Sequence, residues 1–212
     1  MISYNQWLNN WRYFCRLCER FETCIHFVDD SVDNTGKLIN GDTYSIEFCD
    51  ILMSTSAEFE NVTKQICKEI DPNFNDKSNI KALTKTITNK FPKIGETIIS
   101  SPVQSFSPLR EWAESDEGTI RGIDWWGDHT DIKHQRYPNI KKASFQNCYN
   151  ALSSLFVMEL YASTFVTDGE PVLQISSSPC SYFSSEYYFD LIWPIPKKLP
   201  DFEEKDKNKE EL

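Results

Sequence analysis

The sequence predicts an all-α fold, and three observations support this prediction. Segments near residues 3–28, 48–70 and 138–165 carry apolar side chains at alternating steps of four and three, which places them on one stripe of a helix. Of the 212 residues, 40% are hydrophobic and 14% are aromatic, enough to bury one sizeable core. No internal repeat or second domain is evident. We therefore expect a single helical domain over residues 1–200.

The first helix is predicted over about residues 3–28. Its apolar stripe consists of Trp7, Trp11, Phe14, Cys18, Phe21 and Ile25. A different face carries three arginines at steps of four, namely Arg12, Arg16 and Arg20. We expect this face to be solvated, with its arginines paired to Glu19 and Glu22.

The second and third helices are predicted from the same spacing of apolar residues and from the prolines that follow them. The second is predicted to end before Asp71-Pro72, because proline cannot continue a helix. Its stripe consists of Phe48, Leu52, Thr55, Phe59, Val62, Ile66 and Ile70. A third, shorter helix is predicted over residues 78–91, ending before Pro92. Two long stripes of this kind are expected to pack on each other.

Residues 92–124 are predicted to be irregular, with one short helical turn carrying Leu109 and Trp112. Another strong helix is predicted from near Pro138 to about Phe165, since proline is favoured in the first turn of a helix. Its broad apolar face contains Ala143, Cys148, Ala151, Leu152, Leu155, Phe156, Leu160 and Ala162. This helix is predicted to complete the core bundle.

The C-terminal part of the chain has a different character. After a turn at residues 167–171, residues 172–175 and 187–193 have strand-like composition and are predicted to form a small extended or β appendage. Residues 201–212 contain six acids and three lysines with one aromatic residue. Such a composition predicts a disordered tail.

Net charge and cysteine content restrict the classes of function. A formal charge of −10 argues against a surface widely covered in nucleic-acid contacts, so a phosphate site has to be local. No apolar run approaches the ~18 residues that a membrane helix needs, and we expect a cytoplasmic protein with reduced thiols. Cys15 and Cys18 form the only close cysteine pair among seven, without partners for a zinc site. Neither a metal nor another cofactor is therefore predicted.

The stretch WWGDHTDIKHQR, residues 125–136, concentrates the residues suited to chemistry. If it forms a helical turn leading toward Pro138, then His129, Lys133 and Arg136 lie at i, i+4 and i+7 on one face. Three nitrogen donors would converge there. His134 would project elsewhere.

Two neighbours on the same stretch, Thr130 and Asp131, are placed to orient the imidazole of His134. Such a cluster suits metal-independent cleavage of RNA, in which the 2′-hydroxyl attacks the adjacent phosphorus. Histidine, whose unperturbed pKa is ~6.5, serves as proton acceptor or donor near neutral pH. Lysine and arginine stabilise the charge on the phosphorane.

A structural interpretation of the same stretch stands beside this one. Trp125 and Trp126 are more typical of a core or core edge than of base-stacking platforms. A histidine beside them needs only to donate one hydrogen bond, and lysine and arginine next to aspartates are typical of ordinary surface ion pairs.

The residues also resemble a known family. Residues 125–161, with a Trp-Trp turn followed by Lys133, His134 and Arg136, are similar to an uncharacterised bacterial group of the HEPN superfamily that shares a WWxxxxxxKHxR motif. Residues 44–67 resemble the second helix of that group. The resemblance implies an all-α bundle of four to five helices, frequently dimeric, in a superfamily rich in RNA-cleaving toxins and antiviral-defence effectors. The superfamily also includes members that bind without catalysing.

The chain departs from the catalytic signature of that superfamily, in which four to six residues separate an arginine from a histidine. Seven residues lie between Arg121 and His129, and no histidine follows Arg136. Two hypotheses therefore stand. The first is a metal-independent endoribonuclease with His134 as general acid or base, Lys133 and Arg136 holding the phosphate, and His129 as a second proton-transfer group. The second is a non-catalytic helical module that binds a protein partner or a nucleotide.

The resemblance also bears on assembly. It implies a homodimer, and a cognate antitoxin or another component of a defence system as partner. The aromatic content, with fourteen Phe, nine Tyr and six Trp, points the same way, because aromatic residues are enriched where subunits meet.

Overall fold

A computed structural model describes residues 1–113, 123–166, 183 and 199–201. Within these residues the chain is mainly helical, with seven α-helices and one two-stranded sheet, which confirms the prediction of a helical bundle. The helices are α1 (Tyr4–Ile25), α2 (Ile46–Ile70), α3 (Ile80–Lys90), α4 (Arg110–Ala113), α5 (Asp124–His134), α6 (Arg136–Asn139) and α7 (Phe145–Ser163). Single 3₁₀ turns cover Ile94–Glu96 and Ile140–Lys142. Strands β1 (Ile99–Ser100) and β2 (Ser105–Phe106) pair antiparallel.

The three long helices begin at serine N-caps. The hydroxyls of Ser3, Ser45 and Ser144 each accept a hydrogen bond from the backbone N–H three residues on. Serine is favoured at this position because its oxygen satisfies an amide that has no partner inside the helix. The helix α2 then runs to Ile70, as its stripe predicts, and stops before Asp71.

Helix α7 lies at the centre of the bundle. All of its residues from Ala151 to Ala162 are buried, and it packs mainly against α2 and α1. Aromatic rings join the helices, with Phe156 5.7 Å from Phe14 and Phe145 5.2 Å from Phe21, measured between ring centroids. Such contacts add to the hydrophobic stabilisation of burial. The stripes predicted for α1 and α2 face this core.

The predicted helix from Pro138 to Phe165 is wrong in its first part. The chain instead forms the short helix α6, a 3₁₀ turn, and then α7 from Phe145. A long-range contact explains the break, because residues 144–146 pair with residues 41–44: the backbone N–H of Phe145 donates to the carbonyl of Thr43, and that of Gln146 donates to the carbonyl of Gly41. These amides are satisfied outside a helix, so α7 begins afresh at its serine cap.

Other local expectations also change. Arg20 pairs with Glu47 of α2 at 2.7 Å rather than with Glu19 or Glu22, which ties α1 to the start of α2. The short turn carrying Leu109 and Trp112 is present as predicted, since the N–H of Trp112 donates to the carbonyl of Leu109 at 2.8 Å, although α4 itself begins at Arg110; both side chains are buried. The predicted turn at 167–171, the strand-like segments and residues 202–212 of the tail lie outside the described residues.

Candidate functional site

The N-terminal half of α5 belongs to the core. Trp125 is buried, and its indole N–H donates a hydrogen bond to the hydroxyl of Ser154 on α7 at 3.2 Å. Phe59 of α2 packs edge-on against Trp125, with ring centroids 5.2 Å apart, and lies 6.0 Å from Trp126. The two tryptophans therefore cap the bundle, and the ring of Trp125 is not available to stack on a base.

His129 follows one turn later on the same inner face. It is 5% exposed, and its ring centroid lies 5.0 Å from that of Trp126. Its Nδ1 has no hydrogen-bond partner among the described residues. Burial, reinforced by the charge of Lys133 and opposed by that of Glu60 on α2, lowers the pKa of His129 from 6.5 to about 4. The imidazole is therefore neutral at physiological pH.

The C-terminal end of α5 turns outward. The helix stops at His134 because Gln135 has non-helical backbone angles (φ −145°, ψ 77°), and α6 starts at Arg136. Arg136 therefore does not share one helical face with His129 and Lys133, and the predicted convergence of the three is wrong. Residues 133–137, which we call the basic corner, are all exposed.

The polar side chains of the basic corner are available to a ligand. Lys133, His134 and Arg136 make no hydrogen bond or ion pair with any residue that the structure describes. Arg136 lies near the start of α2, where its charge partly offsets the rise in the pKa of the Cys49 thiol that burial and Asp50 cause. Tyr137 is 94% exposed.

Neither residue expected to orient His134 does so. The hydroxyl of Thr130 donates to the carbonyl of Trp126 at 2.9 Å, and the carboxylate of Asp131 binds Lys142. His134 therefore projects into solvent without a fixed partner in the described part of the chain.

A polar network fixes the backbone of the basic corner. The ammonium of Lys142 contacts both Asp131 and Asp128, and these hydrogen bonds raise the pKa of Lys142. The side-chain amide of Asn147 donates to Asp128 at 2.8 Å, and that of Asn139 donates to the carbonyls of Asp131 and Gln135. We call these five residues the corner clamp: Asp128, Asp131, Asn139, Lys142 and Asn147. Because the carboxylates of Asp128 and Asp131 balance the charge of Lys142, this residue adds nothing to the available positive surface.

Two features lay beyond what the sequence predicted. A cavity of about 490 Å³ is lined by Phe106, Ser107, Pro108, Arg110, Glu111, Ile123, Asp124, Trp125 and Asn150. None of the four predicted site residues lines it. Its walls come from three separate parts of the chain, so no local motif marked it.

The second feature is Glu159, which is fully buried in the middle of α7. Neither carboxyl oxygen has a hydrogen-bond partner among the described residues. Burial, with a further contribution from Glu58 on α2, raises the pKa of Glu159 well above 4.5 and favours the protonated form. A glutamate inside the apolar run of α7 was the only signal for this in the sequence.

The described residues contain no group of three or more His, Cys, Asp or Glu side chains that could hold a metal ion. The six cysteines in the described ranges form no disulfide with one another. No described helix is both long enough and apolar enough to span a bilayer. Comparison of the chain with protein-family models, with curated proteins and with solved structures finds no match. The resemblance to the HEPN superfamily therefore stays a prediction.

Proposed function

We propose that the protein is a HEPN-like effector of the toxin or antiviral-defence type that binds RNA at the basic corner and cleaves it without a metal ion. The observation that carries this proposal is the exposure of Lys133, His134 and Arg136 together, without partners in the described chain. The charges of Lys133 and Arg136 are not neutralised by a described carboxylate and are therefore available to an anion.

The acidity of the rest of the chain makes the basic corner distinctive. The net charge is −10, and some of the other cations are engaged in ion pairs, such as Lys142 in the corner clamp and Lys64 with Glu60. Phosphates contribute most of the affinity of proteins for nucleic acids, and arginine and lysine are their usual partners. Lys133 and Arg136 therefore offer an RNA strand two positive charges that no described carboxylate neutralises.

The chemistry proposed for the corner uses His134. The imidazole takes the proton of the 2′-hydroxyl, whose oxygen attacks the adjacent phosphorus as the 5′-oxygen leaves and takes a proton from water. Lys133 and Arg136 stabilise the negative charge of the phosphorane. His129 does not fit the role of second proton-transfer group, because it is buried and its pKa is about 4.

A second candidate is a non-catalytic module that uses the same corner to bind RNA, a nucleotide or a protein partner. The burial of His129 favours this candidate, since it leaves a single imidazole at the corner where acid and base catalysis benefits from two. The homodimer and the antitoxin or defence-system partner stay predictions. Most of the aromatic residues that the structure describes are found in the core rather than on the surface.

An RNA-cleavage assay with and without EDTA separates the candidates. The first predicts cleavage that survives EDTA and falls about 10²- to 10⁴-fold in His134→Ala, because a proton-transfer group is lost. The melting temperature should change little, since His134 is exposed. His26→Ala, at an exposed histidine after α1, is the matched control and should cleave normally.

The outcomes are distinct. RNA that is bound but not cut by the wild-type protein supports the non-catalytic module. Failure to bind RNA at all refutes RNA as the ligand. Cleavage that EDTA abolishes contradicts the metal-independent mechanism.

A further inference from the structure

Tyr137 is the most exposed of the large hydrophobic side chains that the structure describes, at 94%. Exposure of an aromatic ring forgoes the free energy that burial would supply. Most other described rings in this protein are buried in the core. No residue of the described chain covers the ring of Tyr137, so the ring is available to a ligand.

The backbone that carries Tyr137 is held in place. The side-chain amide of Asn139 donates to the carbonyls of Asp131 and Gln135. Pro138 fixes its own φ angle directly after the tyrosine. Tyr137 is consequently presented by an ordered corner, which reduces the entropy lost when a ligand binds to it.

The neighbours of Tyr137 define the kind of ligand. Arg136 directly precedes it on α6, and Lys133 and His134 end α5 four and three residues earlier; all three are exposed and make no ion pair in the described chain. A phenol ring next to cations matches a nucleotide, in which an aromatic base lies close to a phosphate. Proteins that bind single strands combine these two elements, with bases stacked on aromatic side chains and cations along the backbone.

We propose that Tyr137 is a stacking platform for an unpaired nucleobase, so that the basic corner selects single-stranded RNA over duplex RNA. This inference rests on the proposed function and names its substrate class. In a duplex the interior bases are stacked on each other and offer no free face to a tyrosine, whereas an unpaired base does.

The test measures binding of labelled 2′-O-methyl oligonucleotides of about ten residues, a length within the range of known single-strand sites. The methyl group removes the attacking hydroxyl, so binding is observed without cleavage. A normal strand is compared with an abasic strand of the same charge and with a duplex. The wild-type protein should bind the normal strand about five- to hundredfold more tightly than the abasic strand.

Tyr137→Ala should lose this preference and bind both strands as weakly as the wild-type protein binds the abasic one. Tyr137→Phe, which keeps the ring, should retain it. Phe27→Ala, at an aromatic residue that is 86% exposed elsewhere, is the matched control and should behave like the wild type. The double variant Lys133→Ala/Arg136→Ala should weaken the binding of both strands by the same factor, because phosphate contacts do not distinguish the two strands.

Several results would overturn the proposal. If Tyr137→Ala keeps the full preference, or if duplex and single strand bind equally to the wild type, the stacking role is wrong while RNA binding by the cations still stands. If the wild type binds no oligonucleotide, the proposed function falls as well. Circular dichroism measures whether each variant is folded. If Tyr137→Ala is unstable but Tyr137→Phe is folded, the comparison of Tyr137→Phe with the wild type remains valid.

Discussion

The inner face of α5 and the basic corner lie within one short stretch of sequence, yet they place the same residue type in opposite environments. His129 is 5% exposed against Trp126, and its pKa is lowered to about 4. His134, five positions later, is exposed and has no hydrogen bond or ion pair with the described residues. Residues that are close in sequence and suited to the same chemistry are thus separated by the helix that carries them, because one histidine faces the core and the other faces solvent.

Helical geometry explains the division. Trp125, His129 and Ile132 are spaced by four and three residues and all face the bundle. Lys133 and His134 follow on the outer side, just before the helix ends. The motif thus combines an anchor that belongs to the core with a surface that is free to bind.

The largest effect is expected from a substitution that removes packing from the inner face of α5. Phe59→Ala should lower the free energy of unfolding by about 3 to 5 kcal/mol, because it leaves a cavity against Trp112, Trp125 and Trp126. Urea unfolding measures the change. Phe27→Ala, at an exposed ring, is the control and should stay within about 0.5 kcal/mol. A loss of less than ~1 kcal/mol in Phe59→Ala would contradict the packing described here.

The next effect tests the titration of the buried His129. His129 has a pKa of about 4 in the folded protein and 6.5 as its ordinary value, so the unfolded chain binds a proton first as pH falls. The stability that neutral His129 contributes is complete above pH 6.5 and is lost as pH falls toward 4, on the order of 3 kcal/mol in total. Unfolding curves at a series of pH values measure this loss.

His129→Gln should flatten that dependence, whereas His134→Gln should leave it as in the wild type, since His134 is exposed. The raised pKa of Glu159 acts in the opposite direction: its contribution is complete below pH 4.5 and is lost as pH rises. The comparison is therefore sharpest in a Glu159→Gln background, where the opposing titration is absent. Equal pH slopes in the two histidine variants would refute the distinction between them.

The smallest effect concerns the link between the two regions. Asn139→Ala removes the two hydrogen bonds that its amide donates to the carbonyls of Asp131 and Gln135. We expect stability to fall by about 1 kcal/mol and oligonucleotide binding at the corner to weaken, because the backbone there is less well ordered. Asn61→Ala, on the exposed surface of α2, serves as the control. Unchanged binding and stability would show that the clamp is not needed to hold the corner.

The sequence predicted the elements whose spacing is local and missed those set by distant contacts. The stripe of α2 from Phe48 to Ile66 could be predicted, because its apolar residues recur at helical spacing and are buried on one face. The start of α7 was not, because the pairing of residues 41–44 with 144–146 interrupts the helix from about a hundred positions away. No local pattern contains that contact.

The candidate site divides in the same way. The exposure of Lys133, His134 and Arg136 agrees with their polar character, but the helix break at Gln135 that separates Arg136 from His129 was not visible. Lys142 lies six residues beyond Arg136, and no local pattern pairs it with the aspartates of α5. Its capture by Asp128 and Asp131 depends on how the chain folds back after α6.

The central position of α7 has a consequence for how the protein is made. Helices α1 and α2 leave the ribosome with their aromatic stripes exposed, and the helix that covers those stripes is completed roughly 90 residues after Ile70. At translation rates of ~5 to 20 residues per second, that interval is on the order of 5 to 20 s. During this time the nascent chain displays Trp7, Trp11 and Phe14 without their partners on α7. Newly synthesised chains are therefore ready substrates for chaperones that bind exposed apolar segments, and a stall between α2 and α7 yields an aggregation-prone fragment.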